Sequence, residues 1–509
     1  MEKIKADVAV IGTGAAGMAA AIRAAEGGAK VVIFEKRPFP GGASNTPMCV
    51  ASTKKDPEYQ DKAFKVHMEM TQQAGNAELV RAWINKSGEL PDWLTNQGYQ
   101  LGPVMASATL ETMGKQRGYG VGFPNGYFIH DVYFLPPRGK GHGGAMLIRH
   151  LVKRAEDLGV DIRLAMPAKK IIKEGDKISG VIAEDKTGNQ VRVEARAVIV
   201  ASAGFNEDKD MIKKYGMYDF TLDPSPLGGG EGDLFFVAPN LKLTGDGQKM
   251  AWAAGADKGA IGIGLIPHIH KLGIGGVPPW ITFNQLMTIM EQPYLWVNQQ
   301  GKRYYDESFS DEHMSQTHAI ARQYPKSGYI VFDNATKRHL ETVGPDYQYF
   351  IFEAKTIDDV DRQFSTAIAA GNKDLFVADS LRELAQKTGI DENGLKRTVD
   401  EYNGCCEKGH DDLFGKNPTY LRPVKEPKFY AMRIRCCAYQ TIGGIRVNGK
   451  TEALTKERKV VPGLYAAGDI IVAEAFGDPP INGVGTLGFA LSSGLIAAES
   501  SLAYLNITS

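Results

Sequence analysis

The junction Gly12-Thr-Gly14-Ala-Ala-Gly17 restricts this chain more than any other feature, because of what stands on either side of it. Residues 6–11 read as a buried parallel strand, residues 15–26 as an alanine-rich helix and residues 30–35 as the next strand. Strand, glycine turn, helix and strand make a βαβ unit, which implies a parallel sheet and a right-handed crossover. Gly12 permits the tight turn, Gly14 lets a pyrophosphate approach the backbone, and Gly17 lets the helix pack close on the strand. The helix N-terminus offers N–H groups and the positive end of its dipole to phosphate. Glu35 closes the second strand 18 residues after Gly17, placed to accept hydrogen bonds from both ribose hydroxyls and to repel a 2′-phosphate. A lone glycine motif says little, and a purely structural turn is the alternative. Strand, helix and acid in the required order point to dinucleotide binding and away from NADP.

Further segments separate FAD from NAD. Glu35-Lys36-Arg37 is followed by a second glycine turn, Gly41-Gly42-Ala43-Ser44-Asn45, and a late apolar strand over residues 463–467 feeds Gly468-Asp469, another carboxylate after a strand. Several remote segments gripping one ligand suit FAD, which is long. The chain has no second GxGxxG βαβ unit and no CxxxxC, so a built-in NAD(P)H domain is not expected. Reducing equivalents are expected through a shared substrate pocket or from a separate electron-donor protein.

At 509 residues the chain is too long for one compact core. Residues 144–158 have helical apolar spacing, short strands follow at 160–164, 178–183 and 191–194, and residues 197–201 form a fully apolar strand of the parallel sheet. From about residue 250 the texture changes, with glycine and proline dense over 255–279. Residues 294–297 and 303–305 flank Asn298-Gln-Gln-Gly301 and suggest a hairpin, and Ser380-Leu-Arg-Glu383 is a capping box. Sheet texture returns before a long small-residue helix over 487–504. The expected fold is α/β: a discontinuous Rossmann-like FAD-binding domain, residues 1–265 and 438–509, with an inserted α+β cap domain, residues 266–437.

Lys+Arg and Asp+Glu both number 59, so nothing supplies the basic excess that nucleic-acid binding needs. Cys49, Cys405, Cys406, Cys436 and Cys437 have no disulfide, haem, iron–sulfur or metal spacing, and inert thiols are expected over a redox pair. No apolar run is long enough for a membrane span, and the N-terminus has no leader pattern, so cytoplasmic residence is expected.

Several ordered motifs go further. They are Gly41-Gly42-Ala43-Ser44, Ala197-Val-Ile-Val-Ala-Ser-Ala-Gly-Phe205, Thr244-Gly-Asp-Gly247, Val297-Asn-Gln-Gln-Gly-Lys-Arg-Tyr304, Ala378-Asp-Ser-Leu-Arg-Glu-Leu-Ala385, Gln440-Thr-Ile-Gly-Gly444 and Gly463-Leu-Tyr-Ala-Ala-Gly-Asp469. Through them nearly the whole chain resembles the flavoprotein family of fumarate reductase, urocanate reductase and 3-ketosteroid dehydrogenase. The resemblance implies noncovalent FAD, a cap that closes over the flavin, and hydride transfer between flavin N5 and a carbon β to a carbonyl. It implies FAD contacts at Gly12, Ala16, Gly17, Glu35, Gly42, Ala43, Ser44, Ala168, Gly204, Asp246, Tyr439, Gly468, Asp469, Thr486 and Leu487. Gly14, Lys36 and Ala201 complete the expected cofactor set.

The departures bear on substrate. Fumarate reductases carry an arginine acid where this chain has Asp311, a histidine where it has Gln440, and a carboxylate-clamping arginine in the region of Pro480-Ile481-Asn482. Fumarate is therefore not the expected substrate. His268 falls where the family places a substrate histidine, with His270 a lesser candidate and a satisfied loop histidine the alternative. Asp311 becomes a proton donor if desolvated, and is otherwise an exposed acid. Tyr439 is a candidate proton relay or a flavin-packing residue, and Gln440 can donate to a substrate carbonyl without a charge. Arg303 and Glu307 read as a structural ion pair, and Tyr119, Tyr127, Phe128, Tyr133 and Phe134 either line an apolar channel or simply pack. The expected function is an ene-reductase or dehydrogenase acting on a C=C or CH–CH bond next to a carbonyl. A flavin monooxygenase and an electron-transfer subunit are the alternatives.

Overall fold

A computed structural model describes residues 1–47, 49–105, 131–136, 143–222, 232–236, 241–269, 284–310, 313–347, 354–477 and 486–507. The first structural body is built on a twisted sheet in the order Glu452–Leu454, Val460–Ala466, Ala197–Val200, Val8–Ile11, Val31–Phe34, Asp161–Arg163. All neighbours in it are parallel except the first pair. The inner strands are apolar at every residue because both faces are covered; Val8, Ala9 and Val10 have no exposed surface. Burying each valine contributes roughly 1.5–3 kcal/mol.

Helix Ala15–Glu26 packs on one face of this sheet beside helices Gly143–Asp157 and Thr486–Leu505. Its small residues allow close packing on the last helix: a Cβ at Gly494 would fall 2.2 Å from the Ala16 carbonyl oxygen. The opposite face is covered by helix Asp469–Phe476 and by a second sheet, in which Glu2–Lys5 joins the meander Ala168–Glu174, Lys177–Glu184, Gln190–Glu194.

The cap domain is organised on one long strand, Phe429–Gly443. Ser327–Asp333, Leu375–Ala378 and Ile261–His268 pair with it antiparallel, and Leu234–Phe236 pairs parallel. Leu295–Val297 extends the sheet by pairing with Ser327–Asp333. This corrects the hairpin expected between residues 294–297 and 303–305. The turn is there, with the Asn298 N–H donating to the Lys302 carbonyl, but residues 303–305 form no strand. Their backbone instead carries Arg303 into a buried cluster, where it donates to both Glu307 and Asp411. Satisfying a buried guanidinium outweighs extending a sheet edge. The Ser380 capping box holds: Ser380 Oγ accepts the Glu383 N–H at 3.1 Å, and Glu383 reaches back to the Asp379 N–H.

Strand Phe429–Gly443 changes phase once. Ala438 lies opposite Leu265 and Gln440 opposite Gly264, so Tyr439 is the extra residue of a β-bulge. Before the bulge, even-numbered residues from Tyr430 to Ala438 face the apolar core of the cap. After it, Thr441 stands opposite Ile263 on that side, and Gln440 is turned to the other face.

The five cysteines form no disulfide. Burial pushes the thiols of Cys49 and Cys406 up to about 11, and that of Cys436 higher still, so none of these three is a ready nucleophile. Among the described residues no helix is long and apolar enough to cross a membrane.

Candidate functional site

Two clefts meet over the C-terminal ends of the parallel strands, where open α/β sheets place ligands. The first, of about 670 Å³, is lined by the Gly12–Gly14 turn, Glu35, Lys36, Arg37, the Gly41–Ser44 turn, Ala168, Ala201 and Asp246. The second, of about 590 Å³, is lined by Asn206, Gln440, Thr441, Thr486 and Leu487. Both clefts include Ala43, Ser44, Leu241, Leu243 and Asp469.

The glycine turn is shaped by close approach. Gly12 has φ +104°, and a Cβ there would lie 2.4 Å from the Ala201 carbonyl oxygen. A Cβ on Gly17 would lie 1.8 Å from the Gly12 carbonyl oxygen, so the helix sits on the turn with no room for a side chain. The Glu35 carboxylate locks the turn from below. It accepts from Thr13 Oγ1 at 2.7 Å, from the Thr13 N–H at 3.2 Å and from the Arg37 N–H at 2.9 Å. A carboxylate has about four acceptor sites, so capacity for further hydroxyl donors remains. Ser44 Oγ accepts the Ala15 N–H at 3.0 Å, joining the second glycine turn to the start of the helix.

Asp469 begins helix Asp469–Phe476 after Gly468, whose φ is +81°. Burial pushes its carboxyl up to about 7, and among the described residues no donor reaches it. Such a group suits a ligand that brings hydroxyl donors. On the opposite wall Lys36 donates to Asp246 at 2.8 Å and to Thr244 Oγ1 at 2.9 Å. Two glycine turns, a locked acid and an unsatisfied carboxylate fit the phosphates, ribose and ribityl hydroxyls of FAD.

Gly12, Gly14, Glu35, Lys36, Gly42, Ala43, Ser44, Ala168, Ala201, Asp246, Asp469, Thr486 and Leu487 thus come together on the two clefts. Ala16, Gly17, Gly204 and Gly468 stand behind the walls. Gly204 lets two segments meet, since a Cβ there would lie 2.2 Å from Thr441 Oγ1.

Of the catalytic candidates, Gln440 lines the second cleft. His268 is buried opposite Arg435, with its Nδ1 2.8 Å from the Ile269 carbonyl oxygen, and it belongs to the lining of neither cleft. The side chain of Tyr439, together with Asp311, His270 and Pro480-Ile481-Asn482, lies outside the described residues. So do Tyr119, Tyr127, Phe128 and the side chain of Phe134, while Tyr133 sits on a strand paired with Val50.

Sequence reasoning missed Thr13, Asn206 and Thr441. Thr13 is inside the glycine motif and Thr441 inside Gln440-Thr-Ile-Gly-Gly444, so position was the available signal for both. Asn206 had none.

Residues 7–479 match the family model described as FAD binding domain. The chain belongs to this family. A vinyl phenol reductase of Lactiplantibacillus plantarum is 28% identical over 485 residues, covering 91% of this chain and 89% of that protein. A fumarate reductase (cytochrome) of Shewanella frigidimarina is 28% identical over 476 residues, covering 91% of this chain and 72% of that protein. The fold is similar to that of a 3-ketosteroid delta1-dehydrogenase from Sterolibacterium denitrificans, with a TM-score of 0.68 at 18% identity over 98% of this chain and 99% of the other.

Proposed function

We propose that this chain is an FAD-dependent oxidoreductase that transfers a hydride between flavin N5 and a C=C or CH–CH bond next to an activating, conjugated group, on a substrate other than fumarate. Its relatives in the family are reductases and dehydrogenases of unsaturated compounds, which supports the reaction class. One observation carries the substrate reading: the cleft that continues past Asp469 presents the uncharged amide of Gln440. An amide N–H polarises a neutral carbonyl or phenol oxygen, whereas a dicarboxylate needs cationic clamps.

FAD, when bound, supplies the hydride acceptor or donor. The chain's own part is binding and orientation. The Gly12–Gly17 turn and the helix start hold the pyrophosphate, Glu35 the ribose, and Asp469 the ribityl chain. The start of helix Thr486–Leu505 directs its dipole at the end of the second cleft. Gln440 orients the substrate oxygen. Tyr439 and Asp311 are the proposed proton-exchanging groups, and His268, buried and outside both clefts, takes the structural role that was its alternative.

The same proposal takes the cofactor as noncovalent, the electron donor as a separate protein, and the domain division as residues 1–265 and 438–509 around the cap at 266–437, with the cap sheet reaching past these bounds through Leu234–Phe236, Ile261–His268 and Phe429–Gly443. It takes the location as cytoplasmic, a setting that keeps adjacent thiols such as Cys405 and Cys406 reduced.

The test is anaerobic. The bound flavin is reduced and then mixed with 4-vinylphenol, 2-cyclohexenone, methyl acrylate, urocanate and fumarate. Reoxidation by one or more of the first three, and not by fumarate, is expected. Reoxidation by fumarate alone overturns the substrate reading. Turnover only with oxygen marks a monooxygenase, and reoxidation by none of these compounds marks an electron-transfer subunit.

A further inference from the structure

Asn206 directly follows Phe205, at the end of the loop that leaves strand Ala197–Val200, and its side chain is 5% exposed. Its orientation is fixed by Thr441. The Thr441 backbone N–H donates to Asn206 Oδ1 at 2.9 Å, and Thr441 Oγ1 donates to the same oxygen at 2.6 Å. A backbone N–H is always a donor, so the atom facing it is the amide oxygen and the amide cannot be reversed. Thr441 Oγ1 in turn accepts the Phe205 N–H, so its proton is committed to Asn206. A short chain of bonds, Phe205 to Thr441 to Asn206, therefore uses the oxygen end of the amide completely. The approach of the two segments is possible because residue 204 is glycine.

The nitrogen end is different. Asn206 Nδ2 carries two N–H donors and has no acceptor among the described residues, and Asn206 lines the second cleft with Gln440. These donors open on the cleft and are available to a ligand oxygen. Two amides on one cleft, the first held rigid by its neighbours, form a preorganised donor pair for one acceptor oxygen.

We propose that Asn206 is a specificity-determining residue whose Nδ2 donates, alongside Gln440, to the carbonyl or phenol oxygen of a neutral substrate. This rests on the functional reading above and adds to it a second donor. Because both donors are neutral, the pair favours an uncharged oxygen over a carboxylate.

The holoenzyme in its oxidised form is titrated with 2-cyclohexenone, 4-vinylphenol and methyl acrylate, and binding is read from the change in flavin absorption. Asn206→Asp keeps the shape and the acceptor for Thr441 while replacing two N–H donors with an oxygen. It is expected to raise the apparent Kd of the bound probe at least tenfold. Asn206→Ser, a neutral and shorter side chain, is read in the same assay and separates the lost donors from the added charge. It is expected to show the same loss, with the spectrum and reduction potential of the ligand-free flavin unchanged. Equal binding of the probe by wild type and by Asn206→Ser overturns the proposal alone. A shifted potential or spectrum of ligand-free Asn206→Ser also overturns it, since the donor then serves the flavin. A wild-type enzyme that holds flavin and binds none of the probes overturns the functional reading, and the proposal with it.

Discussion

The Lys36 ammonium stands 2.8 Å from the Asp246 carboxylate, joining the end of the second parallel strand to the start of helix Asp246–Ala253. Both residues line the first cleft, so the pair ties its two walls together. It is partly open to solvent, at 25% and 41% side-chain exposure, and its worth is limited to about 0.2–1 kcal/mol. Lys36→Met is therefore expected to weaken FAD retention by up to about fivefold, chiefly by faster release. Flavin fluorescence after dilution measures the release rate, and an unchanged rate in the variant would refute the strap.

Asp469 predicts a pH dependence with a definite sign. Its carboxyl titrates at about 7 in the folded chain, raised by burial, against an ordinary value of about 3.9. The folded state thus keeps a proton that the unfolded state releases. Its contribution to the cofactor-free protein is full below about pH 4 and is lost as the pH rises through 7, by on the order of 4 kcal/mol. Hydroxyl donors from FAD favour the ionised form, so FAD binding is expected to tighten from about pH 5 to pH 8. Asp469→Asn should flatten both profiles, as judged by thermal melts of the cofactor-free protein and by calorimetric FAD titration. A variant that keeps the wild-type slopes would show that another group titrates.

Gly17→Ala tests the packing of the helix on the turn. The added methyl would fall 1.8 Å from a backbone oxygen that cannot swing away. A loss of more than about 2 kcal/mol in stability and of bound flavin is expected. Gly28→Ala is the contrast, because a Cβ there meets nothing within 4 Å, although φ +88° still strains it. Denaturant unfolding of both variants should separate the clash from the strain; comparable losses would remove the clash as the cause.

Lys416 anchors the cap from inside. Its ammonium, the Arg303 guanidinium and the carboxylates of Glu307 and Asp411 are all at most 5% exposed, and the two cations balance the two anions. Lys416→Met leaves one buried negative charge unmatched and is expected to cost about 3–5 kcal/mol. Lys416→Met with Glu307→Gln restores neutrality and should cost less than the sum of the single changes. Strict additivity in denaturant unfolding would show that these charges do not interact.

The sequence was most legible where one physical demand acts alone. Helix Ala15–Glu26 matches residues 15–26 because the glycine turn starts it and alanine favours it throughout. The late helix, read over 487–504, spans Thr486–Leu505, with its small and apolar residues buried along most of its length. The hairpin failed because Arg303-Tyr304-Tyr305 reads the same in a strand as in a loop that buries Arg303 between Glu307 and Asp411. Asp411 lies 108 residues away, and no local pattern reports it. Asn206 was invisible for the same reason: its role depends on Thr441, 235 residues on.

The bulge at Tyr439 has a consequence for how such a cleft can vary. Side chains along a strand alternate, so one inserted residue reverses the parity of everything beyond it. In this chain the reversal keeps Ala438 in an oily interior and hands Gln440 to the ligand side. With the same sequence in a straight strand, Tyr439 would stand opposite Gly264 and Gln440 would turn to the face that holds Ala438. Register at this one point then decides which of two adjacent side chains meets the substrate.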